Sequence, residues 1–217
     1  MLQVALQLGW AFGPAGAKAT VKERLVRPEG FEVSEKAWGV HKISHERAVK
    51  DGLPLADVLA EFLTDLLYLV QNKDARLVCH HLEFDLGIIT NEMTRCGMED
   101  AKRQLAAIGQ KGMCTMDPQI GRWLREAWGE DSGNAEAMNA LGLKTLVKKL
   151  MPECKELIKE HHTAGPDAHL HRRLAYALCG LGRAPCRLQG GAHEKQTLPS
   201  SDEAGEVEEC ILCGERF

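Results

Sequence analysis

Two short segments carry the residue types needed for metal-assisted phosphodiester chemistry. The first, residues 80–85 (HHLEFD), follows a short apolar run, and the second, residues 162–167 (HTAGPD), stands where a helix is expected to begin. Carboxylates from separate elements can hold divalent cations, which polarise a phosphate and lower the pKa of a bound water. A histidine can accept that water's proton, because its own pKa lies near neutrality. Asp85, Asp167 and His162 are therefore the candidate catalytic residues, and the two carboxylates are the candidate metal ligands.

Each of these residues also has a purely structural interpretation. Asp85 can simply cap a helix, and Asp167 can favour the dipole at a helix N-terminus. A spacing of five residues does not place His162 and Asp167 on one helix face, so catalysis requires His162 to lie on the preceding loop. His169 and His171 fall at alternate positions of the same predicted helix, so they point apart and are interpreted as surface residues.

The elements that must position these side chains alternate between strands and helices. Apolar alternation over residues 2–8 predicts a strand, followed by a turn at 13–16 and a returning strand over 20–26. The pattern predicts two further short strands, at 76–79 and 114–116. It also predicts five helices, at 55–70, 84–95, 118–128, 143–150 and 166–179. Strands that alternate with helices indicate an α/β layer structure.

Composition limits the classes of protein to consider. Hydrophobic residues make up 44% of the 217 residues and the formal net charge is −4, so nucleic-acid binding would need a local basic face. No apolar run approaches the roughly 20 residues of a membrane helix, and the N-terminus does not have the pattern of a signal peptide. Eight irregularly spaced cysteines then indicate packed thiols in a reduced, intracellular environment, and no membrane partner is expected.

A change of composition after Gly180 predicts a domain boundary. Residues 1–181 are interpreted as the folded domain, and residues 182–217, rich in Gly, Pro, Ser and Glu, as a mostly disordered tail. Cys210 and Cys213 form half of a common zinc site, but only Cys186 and His193 are near in sequence. The favoured interpretation is a flexible tail with two free thiols, so zinc is not expected.

An ordered series of motifs extends the two catalytic segments. The pattern His-x-x-x-Phe-Asp followed by His-x-Ala-x-x-Asp resembles the DEDD 3′–5′ exonucleases with a catalytic histidine (DEDDh). That family includes polymerase proofreading subunits, ribonuclease T and oligoribonuclease-like enzymes. Other stretches follow in the family's order, namely residues 25–28 (LVRP), 37–44 (AWGVHKIS), 52–59 (GLPLADVL), 91–97 (NEMTRCG), 114–116 (CTM) and 143–146 (LKTL). The resemblance covers about residues 1–179.

The resemblance implies a fold and an activity. The fold would be ribonuclease-H-like, with a mixed sheet flanked by helices. The activity would be hydrolysis of single-stranded DNA or RNA from the 3′ end with two Mg²⁺ or Mn²⁺ ions, and many relatives form homodimers. Asp85 would be the third acidic ligand, Asp167 the fourth, and His162 the general base.

The resemblance also suggests substrate-binding residues. Phe84 would pack under the site. His41, expected in the loop before the long helix, would lie near the substrate entrance, and His80 would contact substrate. A basic rim is a further candidate for phosphate contacts, and it comprises Arg122, Arg125, Lys144, Lys148, Lys149, Arg172 and Arg173. The alternative is that these charges simply form the solvated faces of helices.

The sequence departs from the family at three places. His81 stands where the family has Asn, and Gly165-Pro166 precede the final Asp. More seriously, no Asp-x-Glu occurs before Asp85, so the first two acids and the central first strand are expected to be missing. The chain is then a fragment or a degenerate relative, with little or no exonuclease activity of its own. The alternatives are a non-catalytic nucleic-acid-binding relative and a protein-interaction module that docks through the tail.

Overall fold

The computed structural model describes residues 6–13, 18–129, 142–154 and 163–180, together with the backbone of two strands near the C-terminus. Within these residues the chain is a mixed α/β protein with eight α-helices and six strands. The strands are β1 Gln7–Phe12, β2 Thr20–Leu25, β3 Val78–Cys79, β4 Met113–Cys114, β5 Lys195–Pro199 and β6 Glu206–Cys210. The helices are α1 Glu35–His41, α2 His45–Asp51, α3 Leu55–Lys73, α4 Leu82–Arg95, α5 Glu99–Gly109, α6 Pro118–Ala127, α7 Leu143–Leu150 and α8 Ala164–Gly180. The predicted α/β class is confirmed.

The first two strands form an antiparallel hairpin in which Gln7 pairs with Leu25 and Phe12 with Thr20. The first described strand overlaps the predicted residues 2–8 at Gln7 and Leu8 and continues to Phe12, whereas residues 2–5 lie outside the described part. Alternation places Trp10 inward, where its ring meets Phe62 edge-on at 5.6 Å between centroids. Its indole N–H donates to Asp65 Oδ2 at 2.8 Å, so this buried aromatic ring is also fully hydrogen-bonded.

The described strands do not join into the single mixed sheet that was expected. They form three separate two-stranded sheets, β1–β2, β3–β4 and β5–β6. The pairs β1–β2 and β5–β6 are antiparallel, whereas β3 and β4 are parallel and only two residues long. Among the described residues no strand links β1 to β3. Instead, α8 contacts both of them, so a helix rather than a backbone ladder connects the two sheets.

Five helices confirm the prediction from periodicity, because α3, α4, α6, α7 and α8 match the predicted segments within a few residues at each end. Helices α1, α2 and α5 were not among the predicted segments. Helices α1 and α2 each follow a serine, Ser34 or Ser44, whose side chain accepts the backbone N–H three residues later. A serine in this position is an N-cap, so the sequence does carry a local signal for these two helices.

Three apolar clusters of the described residues hold these elements together. The first joins β1 and the inner face of α3 to α4 and α5, and includes Trp10, Leu59, Phe62, Met93 and Leu105. The second packs α6, α7 and α8 together, and includes Leu124, Leu146, Val147, Leu170 and Leu174. The third is small and consists of Leu6, Ile43 and Ala48. Because α8 belongs to the second cluster and also contacts β1, it ties the two halves of the described fold together.

The start of α8 lies directly against the hairpin. A Cβ added at Gly9 would come within 2.2 Å of the carbonyl oxygen of Ala164, so only glycine fits at this point of β1. The Gly165 N–H donates to Glu23 Oε2 on β2 at 2.9 Å. At the other end of the hairpin, Arg172 and Tyr176 both donate to the carbonyl oxygen of Gly13. Hydrogen bonds therefore fasten α8 to the hairpin at two separated places.

In the predicted tail, the structure describes β5 and β6 as an antiparallel pair, with Lys195 opposite Cys210. The boundary at residues 181–182 and the disorder of the remaining tail stay predictions. Of the helices described, none is long and apolar enough to cross a bilayer.

Candidate functional site

Asp85 lies in the first turn of α4, directly after β3 and the two-histidine turn. Its backbone N–H donates to the carbonyl oxygen of His81 at 3.0 Å. Burial raises the pKa of the Asp85 carboxyl above its usual value, while a hydrogen bond from the Cys79 thiol and the nearby His81 act in the opposite direction. A bound cation would stabilise the ionised form of such a partly buried carboxylate, because its charge replaces part of the lost hydration.

Cys79, the last residue of β3, was predicted only as a packed thiol. It pairs in parallel register with Cys114 of β4. Burial, and then the Asp85 charge, raise the pKa of the Cys79 thiol far above its usual range. The thiol therefore stays protonated and donates to Asp85, which fixes the carboxylate's orientation. No motif in the sequence pointed to this contact, because it depends on the pairing of two short strands.

His80 is held between β4 and α8. Its Nδ1 lies 2.9 Å from Oγ1 of the buried Thr115, and its ring lies 5.7 Å from the ring of His171. The prediction that His171 is a surface residue is therefore wrong, since its ring is partly buried against His80. His169 is also partly buried, and its Nδ1 has no hydrogen-bond partner among the described residues. The packing of α8 on β3 explains the difference at His171.

Phe84 is exposed, with 57% of its surface accessible, so the expectation that it packs under the site is wrong. Its ring stacks on His81 at 5.4 Å between centroids and an angle of 16°. The two rings precede Asp85 in the chain and form a small aromatic surface beside it. A surface of this kind suits stacking of a nucleobase.

Asp167 occupies the first turn of α8, as predicted, and its backbone N–H donates to the carbonyl oxygen of Thr163 at 3.0 Å. His171 follows one turn later on the same helix. The ring contact between His80 and His171 thus connects the turn before Asp85 to the helix that carries Asp167. Among the described residues, no group of three or more His, Cys, Asp or Glu side chains could hold a metal ion. The described part therefore offers two candidate carboxylates but not a complete set of ligands for Mg²⁺ or Mn²⁺.

His41 was expected to lie in a loop, but it is the last residue of α1. Its Nδ1 accepts the Ile43 N–H at 3.1 Å, and its Nε2 is buried without a hydrogen-bond partner in the described part of the chain. Burial lowers the pKa of His41. The ring thus helps to hold the turn between α1 and α2, and its nearness to a substrate entrance stays a prediction.

Three candidate residues cannot be placed in this site. His162 and Cys213 lie outside the described residues. Cys210 ends β6, but only its backbone is described.

The candidate basic rim is largely engaged in contacts within the fold. Arg125 is buried, Arg172 donates to Gly13, and Arg173 pairs with Glu153 at 2.8 Å. Lys149 lies over the ring of Trp128 at 4.0 Å. The members with exposed side chains are Arg122, Lys144, Lys148 and Lys149. The rim is therefore smaller than the sequence suggested.

Comparisons with known proteins found no counterpart: no family model, no curated protein and no solved structure matches this chain.

Proposed function

We propose that this chain is the part of a 3′–5′ exonuclease domain that supplies the third and fourth metal-binding acids, Asp85 and Asp167, with His162 as the general base. The substrate would be the 3′ end of single-stranded DNA or RNA, and Mg²⁺ or Mn²⁺ would be the cofactor. The ribonuclease-H-like fold is part of the same proposal.

One observation supports this proposal most strongly. Asp85, a partly buried carboxylate, lies at the start of a helix just after the C-terminal end of the parallel strand β3. His80, between β3 and this helix, contacts His171 of α8, the helix that also contains Asp167. Residues that follow the carboxyl ends of parallel strands are favoured positions for ligand sites. The exposed His81–Phe84 pair beside Asp85 adds a surface on which a terminal base can stack.

The sequence has no Asp-x-Glu before Asp85, so we expect the chain by itself to bind cations weakly and to degrade nucleic acid slowly or not at all. Mn²⁺ binding, followed by the spectrum of the free ion, tests the site directly. Asp85→Asn and Asp167→Asn should each weaken binding. Asp57→Asn is a matched control, because Asp57 is also a first-turn aspartate but lies on the exposed face of α3. Equal Mn²⁺ binding by all four proteins would contradict the proposed metal site.

A nuclease assay tests the activity separately. Single-stranded DNA and RNA labelled at the 5′ end would show shortening from the 3′ end, if it occurs. An EDTA-sensitive rate that disappears in Asp167→Asn would show that the chain is an active nuclease and that our expectation of low activity is wrong. Sequencing of the full-length transcript would show whether an in-frame Asp-x-Glu lies upstream of Met1.

A second candidate function is non-catalytic binding of single-stranded nucleic acid, which the exposed His81–Phe84 pair favours. Salt-dependent binding without cleavage, weakened by Phe84→Ala, would identify it. Docking of a protein through the tail remains a third interpretation, and removal of residues 181–217 would then abolish binding while the core stays folded.

A further inference from the structure

A cleft of about 810 Å³ opens between the start of β2 and the packed helices α7 and α8. Its size lies within the range typical of small-molecule sites. It is lined by the part of α8 that follows Asp167, and neither Asp85 nor Asp167 lines it. The cleft is therefore separate from the candidate metal site.

The charged groups of this cleft are unbalanced. Among the described residues that line it, three are cationic, Lys18, Arg172 and Arg173, and one is a carboxylate, Glu153. These described side chains together carry two more positive than negative charges. A phosphate monoester carries close to two negative charges at neutral pH, because its second pKa is about 6. Guanidinium groups also match the geometry of phosphate oxygens.

Internal contacts already orient the two arginines. The guanidinium of Arg172 donates through Nε and Nη2 to the Gly13 carbonyl oxygen, at 3.0 and 2.8 Å, and lies 5.0 Å from the centre of the Tyr176 ring. Arg173 Nη2 lies 2.8 Å from Glu153 Oε1. Side chains held in this way lose less conformational freedom when a ligand arrives, which favours binding.

Apart from His169, the other described lining residues are mainly apolar. Val21 comes from β2, Leu150 and Met151 from the end of α7, and Tyr176 from α8. Inorganic phosphate alone would leave this apolar surface exposed to water. A ligand with an apolar or aromatic body attached to its phosphate would cover it and gain from its burial.

We infer that the cleft between β2, α7 and α8 is a binding site for a phosphate monoester with an apolar or aromatic body. Phenyl phosphate is the simplest probe of that chemistry. Titration calorimetry at low ionic strength with EDTA present should show saturable binding of phenyl phosphate. Inorganic phosphate and benzoate should bind more weakly, because the first lacks the body and the second carries only one negative charge.

Charge variants of opposite sign make the test specific. Lys18→Gln and Arg173→Gln should each weaken phenyl phosphate binding by about fivefold or more, since each removes a charge-assisted contact. Glu153→Gln should strengthen binding, because it removes a negative charge from the cleft while the glutamine oxygen can still accept the Arg173 hydrogen bond. Lys36→Gln, a change at an exposed lysine on α1, is the matched control and should leave binding unchanged.

Several results would overturn the inference. Absence of saturable binding would do so, as would a Glu153→Gln protein that binds no better than one with Lys18→Gln. Benzoate that binds as tightly as phenyl phosphate would refute the phosphate assignment. Loss of binding in Asp85→Asn would place the ligand at the metal site instead, and the proposed exonuclease function is tested independently by Mn²⁺ binding.

Discussion

The close approach of α8 to the hairpin predicts that Gly9→Ala destabilises the protein strongly. The new Cβ would lie 2.2 Å from the Ala164 carbonyl oxygen, whereas real Cβ atoms essentially never come within 3.0 Å of another heavy atom. The obstacle is backbone, which cannot rotate away as a side chain can. Either β1 or the start of α8 must therefore move by more than about 1 Å, which is enough to disturb close packing throughout the contact.

The magnitude follows from what such a shift disturbs. Overpacking of a well-packed core costs about 1–3 kcal/mol. The displacement also strains the Gly165 hydrogen bond to Glu23, and a hydrogen bond to a charged group contributes about 1.5–3 kcal/mol. We therefore expect Gly9→Ala to lower the free energy of unfolding by about 3 kcal/mol or more. That is a large share of the 5–15 kcal/mol typical of a folded domain.

Urea unfolding followed by circular dichroism measures this change. The matched control is Gly39→Ala in α1, where an added Cβ meets nothing within 4 Å. That substitution should stabilise the protein by about 0.5–1 kcal/mol, because alanine suits a helix interior better than glycine. A Gly9→Ala protein that unfolds within about 0.5 kcal/mol of the unchanged chain would refute the close contact between β1 and α8.

Three further predictions concern a pH effect, the site and a helix cap. Burial lowers the pKa of His41 in the folded state, so the free energy of unfolding should fall as the pH drops through the pKa of the unfolded chain, near 6.5. The urea midpoint should therefore decrease between pH 7.5 and pH 5.5, and His41→Asn should make this decrease smaller. Burial raises the pKa of Asp85, so its ionised form opposes folding at neutral pH. Asp85→Asn should therefore leave the metal-free protein at least as stable as the unchanged chain while it weakens Mn²⁺ binding. A clear loss of stability would show that the ionised carboxylate does not oppose folding. Ser44→Ala should cost about 1 kcal/mol in urea unfolding, because its side chain accepts the Arg47 N–H at the start of α2, and an unchanged midpoint would contradict this cap.

The elements that could be predicted from sequence are those with a strong local signal. Helix α3 was predicted because apolar residues recur at helical spacing over five turns, and α7 was predicted to the residue. Helices α1 and α2 are only seven residues long, so periodicity was weak, and their serine caps carried the remaining information. The first strand continues past the predicted end at Leu8, because the alternation of residues 2–8 extends through Trp10 to Phe12.

The candidate site shows the same division. The two aspartates were found from local patterns, and both lie in the first turn of a helix, which sequence spacing alone can indicate. The thiol partner of Asp85, the contact of His80 with Thr115 and His171, and the exposure of Phe84 were not found. The Cys79–Asp85 contact depends on the pairing of β3 with β4, the His80 contacts join residues that are distant in the chain, and the exposure of Phe84 depends on which side of α4 is covered.

By itself, the sequence determined the α/β class, most of the helices and the positions of the two candidate carboxylates, because these depend on neighbours within a few residues. Only the tertiary structure decided that the strands form separate pairs and that α8 connects the hairpin to β3. It alone showed that three cations surround one cleft. The contacts of α8 and the grouping of the cations arise from packing between segments more than a hundred residues apart, such as Glu23 with Gly165 and Gly13 with Arg172, and no local pattern encodes which distant surfaces meet.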